Sequence, residues 1–300
     1  MYTFNRIKRG IAYRRAKTPW HQLAIHHAYE GYTGKSVQLK DLQITLKENE
    51  HLHLLRGYDS AKSLRMAGAE ISYSSDSLVL SLDGISINIQ TAEELFICIA
   101  ILVDRCNEFH SVCDTVVLDI GMNVGIASLF FASMPSISKV YAYEPFDPTF
   151  KQAQINFSHN IDLKEKIKSM KIGWGAKEQV LKVEYASENK ARVGVHGSQL
   201  IETGELVIEE MQIKPAAELL NEVLLKEHEK QIVIKMDCEG AEFDIIKNLK
   251  QHDLLRAVDI WMIEWHEKEP YEIIETFKAI GLRLFKMNYS SSVGMIYAVK

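Results

Sequence analysis

The sequence predicts an α/β fold built on a mostly parallel sheet. Three observations carry this. After Asp114, β-branched apolar runs alternate with helix-spaced segments, the pattern of a parallel sheet covered on both faces. The runs end in glycines and acids, the chemistry expected where ligands sit beyond the carboxyl ends of strands. Only the last two runs, 282–287 and 294–299, are joined by a short link, so a closing hairpin adds an antiparallel strand.

The elements follow in order. The first 60 or so residues mix polar and apolar text with loose helical spacing, and His21, His26, His27, His51 and His53 read as surface histidines. Residues 77–82 and 85–89 flank Asp83-Gly84, a hairpin signal. Thr91 with Glu94 forms a capping box, opening a helix to about Cys106. Residues 115–120 are a strand and 124–134 a helix behind a glycine-bearing turn. Residues 139–143 are a second strand. Asp147-Pro148 supplies an N-cap and a first-turn proline for a helix to about Asn160. Strands follow at 167–172 and 180–185, then a polar, glycine-bearing stretch at 187–204. Pro215 opens a helix through Leu225. Strands at 231–236 and 258–263 alternate with helices at 241–249 and 271–280.

The chain divides into an N-terminal α+β extension or lid, 1–108, and a main domain, 109–300. Its 300 residues, 47% hydrophobic and 25% charged, suit a globular protein with a substantial core. A net charge of −5 argues against nucleic acid as a partner. Arg6, Lys8, Arg9, Arg14, Arg15 and Lys17 precede the first acid, Glu30, and make a basic arm that could touch an anionic surface. No apolar stretch follows as in a secretory signal, and Leu95–Val103 is too short to span a bilayer. Four cysteines without a C-x-x-C pair fit a reducing cytoplasm, and Cys238 reads as a small buried residue.

The strand ends hold the candidate chemistry. The first reads VVLDIGMNVG, residues 116–125. This G-x-N-x-G loop puts Asn123 where a dinucleotide fold needs a glycine, and Asp119 ahead of it repels phosphate. An acid and an amide suit instead a ligand with an ammonium group. The second strand ends in YAYEP, whose Glu144 lies where an acid can accept both ribose hydroxyls.

LDIGMNVG, YEPFDPTF with Asn156 behind it, KMDCEGAE and IEWHE together resemble the FkbM family of methyltransferases, over roughly residues 85–300. The resemblance implies a Rossmann-like class I methyltransferase fold with a seven-stranded sheet and an antiparallel strand near the C-terminus. It implies S-adenosylmethionine as cofactor and methyl transfer to oxygen, often on sugars or secondary metabolites. It places Asp119, Gly121, Met122, Asn123 and Gly125 at the methionine end and Glu144 on the ribose. Pro145 and Phe146 would flank the adenosine, and the loop with Trp174 and Gly175 would lie near the adenine. Trp174 departs from the smaller or polar residue usual there, and either stacks on the ring or belongs to the core.

A sulfonium cofactor calls for acids at moderate distance, which Asp119, Glu144, Asp237 and Glu239 supply. A hydroxyl acceptor needs a base, and Asp237 and His266 are the two candidates, at the ends of adjacent strands. Lys235 either neutralises developing oxyanion charge or pairs with Glu239 or Glu242. Glu242 and Asp244 read as helix-start acids. Asp237, Glu239 and Glu264 could hold Mg²⁺, but no spacing demands it, and no metal is expected. The expectation is a cytoplasmic O-methyltransferase acting on a small-molecule or glycan hydroxyl. The rival is a non-catalytic scaffold of the same fold, and the oligomeric state is open.

Overall fold

The computed structural model describes residues 37–39, 42–46, 57–74, 77–186 and 206–300. The basic arm, the five N-terminal histidines and the stretch 187–204 lie outside them.

The described residues fall into two compact units that divide between Cys106 and Asn107. In the first, β1 (Val37–Leu39) pairs antiparallel with β2 (Ile44–Leu46), and α1 covers Tyr58–Met66. A meander follows: β3 (Glu70–Ser74), β4 (Ser77–Leu82) and β5 (Ile85–Ile89). The 77–89 hairpin has its expected bounds because Asp83 and Gly84 both take positive φ, 50° and 80°, as a tight two-residue hairpin turn requires. Strand β3 goes beyond the sequence reading. The Thr91–Glu94 capping box is formed, and α2 (Ala92–Cys98) continues as a π-helical turn over Ile99–Val103, short of Cys106.

The second unit carries the sheet. Its order is β14–β15–β13–β12–β6–β7–β8, with ranges Arg283–Asn288, Gly294–Val299, Ile260–Trp265, Gln231–Asp237, Thr115–Ile120, Ile137–Tyr143 and Ile167–Met170. All neighbours are parallel except β15, which runs antiparallel between β13 and β14. The seven-stranded sheet with its antiparallel strand therefore has the expected form. The central strands β6 and β12 are buried nearly end to end, which accounts for their unbroken apolar runs. Helices α3 (Ile126–Ser133), α4 (Asp147–Ser158), α5 (Ile161–Lys164), α6 (Ala216–Lys226), α7 (Glu242–Gln251) and α8 (Tyr271–Ala279) connect these strands.

Three local readings change. Asp147 is the first residue of α4 rather than its cap; Phe146 holds that place, and the Asp147 carboxylate pairs with Lys151 and Lys171. Gly173–Gly175, expected as a loop, is a buried strand, β9. It joins β10 (Gln179–Ala186) and β11 (Leu206–Pro215), a strand the sequence reading missed, in a second three-stranded sheet.

Candidate active site

A cleft opens at the carboxyl ends of β6, β7 and β12. It encloses about 660 Å³ counting its open mouth. Its lining includes apolar side chains, Pro145, Phe146, Ile172, Trp174, Met211 and Ile213. It also includes the polar Asn123, Glu144, Asp237 and Glu239.

The glycine loop is shaped by crowding. Gly121 (φ +78°) donates its N–H to the Tyr143 carbonyl at 3.0 Å, tying the end of β6 to β7. A Cβ there would lie 1.8 Å from the Asp237 carbonyl oxygen, so the loop can touch the end of β12 only as glycine. Gly125 (φ +84°) serves packing instead. Its Cβ would lie 2.6 Å from the Phe157 ring of α4, and it does not line the cleft. Asn156, fully buried on α4, donates to the Val124 carbonyl at 2.7 Å and holds the loop from behind.

Several expected cofactor residues are placed differently from one another. Asp119 and Met122 are buried and do not line the cleft. Asp119 accepts from the Ser128 hydroxyl at 2.6 Å and lies 3.3 Å from Lys235 Nζ. It therefore serves as a counter-charge to Lys235, while its buried Oδ1 accepts no hydrogen bond. Asn123 (φ +52°) lines the cleft, and its buried Oδ1 has no hydrogen-bond partner. Glu144 is 5% exposed; Oε2 accepts from the Asn123 N–H and Oε1 from the Phe146 N–H, each at 3.0 Å. Burial pushes its pKa up to about 7, against the opposing pull of those two bonds.

Trp174 belongs to the core, one of the two places weighed for it, and part of its surface also faces the cleft. It meets Tyr143 edge-on at 5.1 Å, with an unpartnered Nε1. Gly173 lines the cleft and Gly175 does not; a Cβ on either would strike Ile213, at 2.5 and 2.6 Å. Met211 and Ile213 escaped the sequence reading along with β11. Their alternation with Gln212 and Lys214 was the period-2 signal that could have found them.

The end of β12 and the start of α7 gather the acids. Lys235 is buried and donates to the Gly121 carbonyl at 3.0 Å, with Asp119 and Asp237 at 3.3 and 3.7 Å. Burial opposes its charge, but the attraction of those acids outweighs it and holds its pKa above the usual lysine value. Lys235 is thus a clamp between β6 and β12. No ion pair joins it to Glu239 or Glu242 among the described residues. His266, 7% exposed, follows β13. Its Nδ1 lies 3.2 Å from Glu242, while Nε2 faces Asp237, Glu239 and Glu264 at 3.8, 3.8 and 3.9 Å. Burial disfavours the imidazolium, but the Glu242 bond and the pull of Asp237 and Glu239 raise its pKa to about 9.

Glu242 is more than the helix-start acid expected from its place. It is fully buried and accepts from the Cys238 N–H at 2.8 Å and the Gly240 N–H at 3.0 Å while fixing the imidazole. The Cys238 thiol, raised well above its usual pKa by burial and neighbouring acids, is inert, as expected of a small packing residue.

A family model described as "Methyltransferase FkbM domain" matches residues 119–291, more than half of the chain. No curated protein matches the sequence. Similar solved structures include a methyltransferase FkbM from Methylobacillus flagellatus KT, 10% identical, TM-score 0.43, covering 82% of this chain and 59% of that one. An rRNA methylase from Streptococcus thermophilus is 14% identical, TM-score 0.36, covering 63% and 89%. The N-terminal domain of human METTL16 in complex with SAH is 13% identical, TM-score 0.40, covering 86% and 85%. This chain thus spans about three fifths of the length of the Methylobacillus protein. Among the described residues no helix is long and apolar enough to cross a membrane.

Proposed function

The chain belongs to the FkbM methyltransferase family, and from that premise we propose that it transfers a methyl group from S-adenosylmethionine to a hydroxyl oxygen of a sugar, in a glycan or a glycosylated metabolite. The observation that carries the reading is the mixed lining of one cleft at the strand ends: aromatic and aliphatic side chains together with carboxylates and an unpartnered amide oxygen.

The residues present fit the cofactor. Trp174, Phe146, Met211 and Ile213 make a slot for a flat aromatic base, and Glu144 keeps lone pairs free for two ribose hydroxyls. Asn123 Oδ1 is an acceptor waiting for a donor such as an ammonium group. Asp237 and Glu239 supply a negative field without a tight ion pair to the cofactor. Bound S-adenosylmethionine supplies a methyl group on a sulfonium, which passes to the acceptor oxygen as the sulfur keeps the bonding pair. The chain's part is to align the two reactants and to remove the hydroxyl proton. That proton passes to a carboxylate of Asp237 or Glu239, which line the cleft beside the imidazole that Glu242 fixes. The sugar class rests on family membership, supported by this polar acceptor side.

The test is transfer of labelled methyl from S-adenosylmethionine to a panel of glycosides, free sugars, amines and thiols. The reading expects product on a sugar hydroxyl. Label on amines or thiols alone would overturn the O-methyl assignment.

A further inference from the structure

Three potential ligand atoms stand together at the acceptor side: one oxygen each from Asp237 and Glu239, and His266 Nε2, all within 4.8 Å of one another. We propose that they hold a divalent cation of the Mg²⁺ or Mn²⁺ class. The site rests on the acceptor-side reading of this cluster given above and specifies how it works.

Two observations meet here. The first is geometric. Nε2 lies 3.8 Å from Asp237 Oδ1 and 3.8 Å from Glu239 Oε2. That is too long for hydrogen bonds, and it falls between the roughly 3 Å of adjacent and the roughly 4.2 Å of opposite ligands about an octahedral ion, so small side-chain shifts seat one. The second is the state of the imidazole. His266 is more than nine-tenths buried, its Nε2 makes no hydrogen bond, and it is aimed into the cluster. A cation seated among the facing carboxylates would take the place of the imidazolium proton on this nitrogen.

The surroundings match a metal site. Glu242 accepts from Nδ1 and is itself held by two backbone N–H groups. This carboxylate–imidazole pairing orients Nε2 outward, as behind metal-bound histidines. Glu264, 3.9 Å from Nε2 and paired in register with Asp237, stands ready as a fourth carboxylate. Four carboxylates around one imidazole leave a surplus of negative charge, which Lys235 offsets in part, 3.7 Å from Asp237. Carboxylates with a single imidazole favour Mg²⁺ or Mn²⁺ over softer ions. With the ion in place the imidazole is a ligand. The ion acidifies an acceptor hydroxyl placed on it, and the proton passes to a carboxylate of the cluster.

The experiment is an Mn²⁺ titration of the full, chelator-treated chain, read by the paramagnetic resonance signal of free Mn²⁺. The wild type is expected to bind one ion per chain. His266→Gln and Glu239→Gln should each weaken binding at least tenfold, while the surface control Glu272→Gln leaves it unchanged. Absence of saturable binding by the wild type would overturn the site, as would unchanged binding in both cluster variants with intact circular dichroism. S-adenosylhomocysteine calorimetry on the same sample separates the two ideas. Homocysteine-product binding without Mn²⁺ binding removes the cation alone, and Mn²⁺ binding without it removes the cofactor reading.

Discussion

Replacing Glu144 with Gln should weaken S-adenosylhomocysteine binding by 10- to 100-fold at pH 8 while leaving stability there nearly unchanged. Both halves follow from its setting. The carboxylate accepts from two backbone N–H groups, one per oxygen, and its other lone pairs face the cleft. Gln has one oxygen, so one backbone N–H meets an amide donor and is left unpaired, costing about 1–3 kcal/mol. Loss of charged hydrogen bonds to the ribose costs about 1.5–3 kcal/mol, the source of the affinity change. Against the first cost stands the penalty of burying the charge. A carboxyl raised from 4.5 to about 7 binds its proton more tightly folded than unfolded. Stability therefore falls as pH rises between those values, and above about 7 the full penalty, about 3 kcal/mol, is present. Gln removes that penalty, so at pH 8 gain and loss nearly cancel. At pH 5.5, where most of the penalty is absent, the variant should be the less stable protein. Urea melts at the two pH values and calorimetry at pH 8 read all three quantities. Undiminished affinity for S-adenosylhomocysteine at pH 8 would refute the role of Glu144.

Other perturbations separate fold from chemistry. Gly121→Ala places a Cβ 1.8 Å from the Asp237 carbonyl at φ +78°, so it should lower the unfolding midpoint and abolish cofactor binding together; a native-like melt would contradict the crowding argument. Asn156→Ala deletes a buried bond to the Val124 carbonyl and should destabilise by about 2–4 kcal/mol, read by urea melts. Asp237→Asn should keep S-adenosylhomocysteine affinity within a few-fold and lower turnover by about 10²–10⁴, and unchanged turnover would remove Asp237 from the acceptor side. Wild-type affinity for S-adenosylhomocysteine should rise from pH 6 to 8 as Glu144 ionises, and this slope should vanish in Glu144→Gln.

The parts of the fold legible in the sequence are those governed by local rules. The 77–89 hairpin follows from one Asp-Gly turn, the α2 start from one capping box, and the sheet from unbroken apolar strands. Strand β11 was hidden because its polar and apolar residues alternate only from Glu210 onward. Gly173-Trp174-Gly175 looks like a loop because glycine lacks strand propensity. It is a strand because it pairs in parallel with residues 213–215 of β11, a fact of tertiary structure, with the Ile213 side chain close against both glycines.

The site divides in the same way. Residue types at strand ends point to Glu144, Asn123, Asp237 and Glu239, which line the cleft. They do not tell which acid is consumed internally. Asp119 is spent on Ser128 and Lys235, and Glu242 on the loop and the imidazole. Spacing cannot distinguish an acid facing a ligand from one facing a buried lysine 116 positions later. That depends on the register of β6 against β12, which sets Asp119 beside Lys235.

The central claim is that the cleft is an S-adenosylmethionine site. Calorimetry of the full chain with S-adenosylhomocysteine and, separately, with NAD tests it most directly. The account predicts saturable one-to-one binding of S-adenosylhomocysteine, weakened in Glu144→Gln, and no binding of NAD. Heat of binding from NAD alone, or from neither compound, would contradict it.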